Sequence, residues 1–187
     1  MGHLVRWIER VNEYIGRAMG WLMVGLVLLV TGDVVSRYIF NTGAVVIQES
    51  EWWMFSIIFL MAAGYTFLSN SHVRVDIVYS LLSKKGQHIV DLSCAFIFLF
   101  PMCLLLILTS LWFIRASLEV GEYSPDPGGL CCYYLLKMII PIGFGFLALQ
   151  GIADVYKKIQ ALKELASTLV AEDSIAARAG QPSETSS

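Results

Sequence analysis

The chain has 187 residues, 57% apolar and only 15% charged, where a soluble domain carries roughly a quarter. That is one domain's worth of chain, and its apolar excess excludes an ordinary water-soluble fold and points to lipid as the solvent. The formal net charge of −2 conceals an uneven distribution, with charges gathered at the two ends and in one middle stretch.

Residues 1–17 read as a short interfacial helix. Leu4, Trp7, Ile8, Val11 and Ile15 recur at helical spacing, and Arg6, Glu9, Arg10, Glu13 and Arg17 take the other face. The mixed charge and the missing small-residue cleavage site set this segment apart from a secretory leader, so the apolar run behind it is expected to remain as an anchor. Residues 18–40 form the first predicted span. Ala18 to Gly32 is free of charge, and the run reaches spanning length only if Asp33 and Arg37 are included. Those two stand four apart on one helix face and are expected to form a structural ion pair. Asn41-Thr42-Gly43 then ends the helix.

Residues 52–71 form the second predicted span, with Glu49 and Glu51 at its mouth and Trp52 and Trp53 at interface depth. Ala62, Ala63 and Gly64 offer a small-residue packing surface. Residues 72–89 are too short and too polar to span. They read as a polar entry carrying His72, Arg74 and Asp76, followed by a short interfacial helix ended by Gly86. That polar motif is expected to hold a turn, with a lipid headgroup near Arg74 as a second role.

Residues 90–114 form the third predicted span. Leu92 to Ile114 is 23 residues without a charge, and Pro101 is expected to kink it. Residues 115–132 are an acidic loop with strong turn chemistry from Ser124 to Gly129. Residues 133–155 form the fourth predicted span, with Lys137 snorkelling near its start and Pro141 a second expected kink. A mixed-charge helix continues to residue 170, and 171–187 read as a disordered polar tail. The fold class expected is therefore an all-α integral membrane protein with four transmembrane helices and two short interfacial helices, in one domain over 1–170.

Ten of the thirteen Lys and Arg residues lie in the N-terminal segment (Arg6, Arg10, Arg17), the middle stretch (Arg74, Lys84, Lys85) and the C-terminal segment (Lys157, Lys158, Lys163, Arg178). The positive-inside rule then puts both termini and the middle stretch in the cytoplasm, and loops 41–51 and 115–132 outside. Trp7, Trp52, Trp53 and Trp112 read as interface anchors. Trp21 lies deeper and can pack on a partner.

His3, His72 and His88 all lie outside the predicted spans, which weighs against a haem-carrying anchor subunit. HExxH, GxSxG and P-loop patterns are absent, and no ligands stand at workable metal spacing. Neither an enzyme activity, a cofactor nor a nucleic-acid partner is expected. Cys94 and Cys103 read as packing residues. Cys131 and Cys132 are adjacent, which is not a usual metal or disulfide spacing. The spans hold few polar groups. Ser56, Tyr65 and Thr66 in the second and Thr109 and Ser110 in the third are hydroxyls of the kind that bond their own helix backbone. Charge-poor spans suit a scaffold better than a transport pathway.

The order RYIFN (Arg37–Asn41), ESEWW (Glu49–Trp53), a second span and HVRVDI (His72–Ile77) resembles the small membrane subunit, DctQ type, of the TRAP (tripartite ATP-independent periplasmic) transporters of bacteria and archaea. SPDPGGL (Ser124–Leu130), Lys137, Pro141 and LQGIAD (Leu149–Asp154) extend the likeness over roughly residues 5–158. The resemblance implies a stable complex with a larger membrane subunit that holds the substrate and sodium sites. It also implies a periplasmic binding protein that delivers a small organic acid, and an inner-membrane location. The small subunit would extend the fixed scaffold, and Glu49 and Glu51 are then candidates for partner contact at the outer face. The alternative from another class is a self-sufficient homo-oligomeric transporter or channel.

Overall fold

A computed structural model describes residues 2–69 and 84–179, with backbone alone for 165, 166 and 168–179 and for Lys84 and Lys85. All regular structure in these residues is helical. α1 is Gly2–Phe40, α2 Val45–Leu68, α3 Lys84–Cys94, α4 Phe100–Val120 and α5 Tyr133–Ala179; a π-helical segment, Ala95–Leu99, joins α3 to α4. Four stretches are long and apolar enough to cross a membrane: Gly2–Phe40, Val45–Leu68, Gly86–Val120 and Tyr133–Glu164.

Several boundaries differ from the sequence reading, each for a physical reason. Residues 2–17 are not a separate interfacial helix but the first part of the 39-residue α1. At 1.5 Å per residue α1 is about 58 Å long, well beyond a hydrocarbon core of about 30 Å. Some of its early charges are paired: Arg17 bonds Glu13 at 2.6 Å, and Lys157 of α5 bonds Glu9. α2 begins at Val45 rather than at 52, so Glu49 and Glu51 lie inside the helix. Gly86 sits within the third spanning helix instead of ending a surface helix, and the rest of that expected interfacial helix, 72–83, lies outside the described residues. α5 runs on to Ala179, past the boundary expected at 170.

Pro101 is absorbed differently from a simple kink. Its ring excludes a normal α-turn against the carbonyl four residues back. The turn before it widens into the π segment, where the Phe100 N–H bonds the Ala95 carbonyl. At the other end of α4, Gly121 is left-handed (φ 62°), and the Glu122 N–H closes a C-cap on Ser117 at 3.1 Å. Helix α4 thus reaches Val120, which shortens the following loop to 121–132.

The spanning helices form an open layer in the order α1, α2, α5, α4. α1 packs on α2, α2 on α5 and α5 on α4, while α1 and α4 share no packed interface. α1 also meets α5, and α3 reaches α5. The core is correspondingly thin: Val5, Ile8 and Ala153 cluster where α1 meets α5, with Tyr156 against them. The α2–α5 contact is close at Gly143, where a Cβ would lie 2.7 Å from the Leu60 carbonyl oxygen. Large apolar side chains cover the outside, among them Leu28 and Phe59 at 68% exposure and Leu105 at 60%. Water would penalise every such square ångström, so this is the surface of a protein dissolved in lipid.

Candidate functional site

The polar contacts between helices are gathered at the two ends of the layer. One end carries the start of α1, the end of α2 and the middle of α5. There Asn12 (1% exposed) and Gln150 (2% exposed) meet. Asn12 Nδ2 donates to Gln150 Oε1 at 2.9 Å and to the Ile8 carbonyl at 3.2 Å. Helix α2 fits because Gly64 has no side chain: a Cβ there would strike Asn12 Oδ1, and one on Gly16 would strike the Tyr65 ring. Three helices are thereby fixed in register by one amide pair and two close approaches. Asn12 Oδ1 itself has no hydrogen-bond partner, so the pairing rests on the Nδ2 donor, for which lipid offers no alternative acceptor.

Two turns further along α5, Lys158 bridges Asp154 at 2.6 Å and Asp91 of α3 at 2.9 Å, all three largely buried. Lys157 reaches Glu9 of α1. Two successive lysines of α5 therefore tie it to α1 on one side and α3 on the other.

The opposite end carries loops 41–44 and 121–132. Glu49, 6% exposed, is the acceptor around which the longer loop folds. It accepts from Ser124 Oγ, from the Leu130 backbone N–H and from Tyr133 Oη, the last at 3.0 Å. Three donors on one carboxylate make it affordable inside a spanning helix. Gly129 is required beside it, since a Cβ there would lie 2.7 Å from Glu49 Oε1. The Trp53 ring meets Tyr133 edge-on at 5.9 Å. Lys137 bonds Glu122 and lies 3.8 Å from the centre of the Phe113 ring, a cation–π contact that keeps its charge close to α4. The Lys137 hydrogen bond holds the Glu122 carboxyl below the usual carboxylate range.

Asp33 and Arg37 are 2.7 Å apart, with Asp33 7% exposed and its Oδ1 unpartnered. Arg37 also donates to Gln48 of α2 at 3.3 Å, which links the two helices across the short loop. Glu51 is half-buried, and its Oε1 has no hydrogen-bond partner. Trp7, Trp52 and Trp112 are exposed and Trp53 half-buried. His72, Arg74 and Asp76 lie outside the described residues.

Asn12, Tyr133 and Asp91 did not stand out in the sequence. Ser124, Gln150 and Lys158 stood in the turn, in the LQGIAD motif and in the charge tally, but nothing local showed that they meet Glu49, Asn12 and Asp91, which are far along the chain. Hydroxyls inside the spans are spent locally: Ser56, Thr66, Thr109 and Ser110 each donate to a carbonyl three or four residues back. Among the described residues no three His, Cys, Asp or Glu side chains are grouped to hold a metal ion. Chemically, the arrangement holds helices and a loop together.

The family profile for the DctQ component of the tripartite ATP-independent periplasmic transporters matches residues 26–161. A Haemophilus influenzae protein that bears the name of a TRAP transporter small permease is 29% identical over 128 residues, covering 68% of this chain and 76% of the other.

Proposed function

The chain belongs to the DctQ component family of the tripartite ATP-independent periplasmic transporters, and from that premise we propose that it is the fixed scaffold subunit of a sodium-coupled importer of a small organic acid. In this reading it binds a large membrane subunit stably and a periplasmic binding protein transiently. It sits in the cytoplasmic membrane with both termini inside, and Asp33–Arg37 serves structure alone.

The observation that carries the reading is the open layer. Its buried amide pair, Glu49 and Lys158 tie its own helices and loop together, the hydroxyls of its spans bond their own helices, and large apolar side chains cover much of its outside. Such a layer can adhere to a partner in lipid, and among the described residues it shows no converging polar groups of the kind that a substrate path requires. The positive-inside distribution supports the orientation. His72, Arg74 and Asp76 belong to the cytoplasmic side in this orientation, where a lipid headgroup can meet Arg74. Glu49 serves the outer loop first, and Glu51 is the better candidate for contact with a partner.

Co-expression tests the proposal. The tagged chain is expected to co-purify with the large membrane subunit of its system in a fixed ratio, and omitting the chain is expected to lower recovery of the folded large subunit. Full recovery of an active large subunit without it would refute the scaffold role.

A further inference from the structure

Cys131 and Cys132 are adjacent in sequence, and adjacent residues in extended chain point to opposite sides. Here Cys132 takes a left-handed conformation, φ 67°, which is uncommon for any residue other than glycine. The two sulfurs consequently lie 3.2 Å apart. Cys131 is exposed and Cys132 half-buried, so a small thiol reagent reaches the pair from outside. The surroundings hold this geometry. Leu130 on one side and Tyr133 on the other both bond Glu49, and the Cys132 carbonyl caps α5 through the Leu135 N–H at 2.9 Å. The backbone at the joint is thus pinned before and after the two cysteines, with both thiols turned toward each other.

We propose that Cys131 and Cys132 form a reversible vicinal disulfide, made by thiol–disulfide exchange with a disulfide oxidant of the glutathione class. One cysteine thiolate attacks a sulfur of oxidised glutathione, forming a mixed disulfide and releasing one glutathione thiolate. The neighbouring thiolate then attacks the protein sulfur of that mixed disulfide and releases the second. Two protein thiols are oxidised, one glutathione disulfide is reduced to two thiols, and the two protons pass to the released thiolates. Closing this ring fixes the joint between the loop and α5 covalently. Oxidation of the pair in the cell rests on the outward orientation proposed above, because disulfides persist in the bacterial periplasm and not in the cytosol.

Purified full-length chain in detergent, incubated with oxidised glutathione, alkylated and digested, provides the test. The expected product is a peptide carrying Cys131 and Cys132 that has lost two hydrogens and takes no alkyl group. Each of Cys131→Ser and Cys132→Ser is expected instead to retain one glutathione on the remaining cysteine. A lasting glutathione adduct on the unmutated pair, or two alkylated thiols after oxidant treatment, would overturn the proposal. Orientation is read separately, by labelling intact cells with a membrane-impermeant maleimide after reduction. A ring that forms in the purified chain, together with a pair that labels only in inverted membranes, would refute the orientation and leave the disulfide chemistry standing.

Discussion

The side-chain amide of Asn12 on α1 donates to the side-chain carbonyl of Gln150 on α5 at 2.9 Å, and both residues are almost completely buried. Interhelical hydrogen bonds of this kind contribute about 0.6 kcal/mol on average and up to about 1.7 in membrane proteins. Asn12→Ala and Gln150→Ala are each expected to lower stability by about 1–2 kcal/mol, since each strands a buried partner. The double variant is expected to lose little more than either single one. Unfolding in bicelles, arranged as a double-mutant cycle, measures the coupling; strictly additive losses would mean that the pair is not a lock.

Gly64 and Gly143 are both places where a methyl group collides, but with different neighbours. At Gly64 the obstacle is the end of the Asn12 side chain, and at Gly143 it is the Leu60 backbone 2.7 Å away. A side chain can move and a backbone cannot without separating the helices. Gly143→Ala is therefore expected to cost more stability than Gly64→Ala, with overpacking costs of about 1–3 kcal/mol. Adding Asn12→Ala is expected to offset part of the Gly64→Ala loss and none of the Gly143→Ala loss. The same unfolding assay checks both orders.

Glu49 accepts from Ser124, Leu130 and Tyr133, so its replacement is expected to loosen one loop. Glu49→Gln keeps the shape but puts an amide donor against other donors. Hydrogen exchange across residues 121–132 is expected to quicken, most at Leu130, while exchange in α1 stays the same. Unchanged exchange in the loop would mean that the carboxylate does not organise it.

Glu122 provides a pH dependence with a defined sign. Its carboxyl is held below the usual range, chiefly by the Lys137 hydrogen bond. A depressed carboxylate contributes stability that is fully present above its ordinary value of about 4.3. That contribution is lost as pH falls through the lowered folded value. Carboxyl infrared or NMR titration of Glu122 in nanodiscs is expected to give a midpoint below that of a free glutamate, and Lys137→Gln is expected to raise it. A midpoint unmoved by Lys137→Gln would remove the pair as the cause.

Four spans were legible because apolar length alone announces them, and Leu92–Ile114 needs no other argument. The continuity of α1 was not. Its early charges look interfacial until Lys157, distant in sequence, is placed beside Glu9. Glu49 was visible as an acid next to a span, yet its donors lie 75 to 84 residues away, and no local pattern encodes such a meeting. Asn12 was passed over as one polar residue in a mixed-charge segment, although it shares the buried stripe of Val5, Ile8 and Gly16. The π turn before Pro101 was half legible: the proline demanded a disturbance, and a kink was expected where the turn instead widens.

The most direct test of the central claim is solute uptake into proteoliposomes under an imposed sodium gradient. The account predicts no uptake by this chain alone, and sodium-driven uptake of an organic acid when the large membrane subunit and the binding protein are added. Within that complex, Asn12→Ala should reduce uptake in proportion to the complex recovered, with substrate affinity unchanged. Solute movement by the purified chain alone would contradict the account.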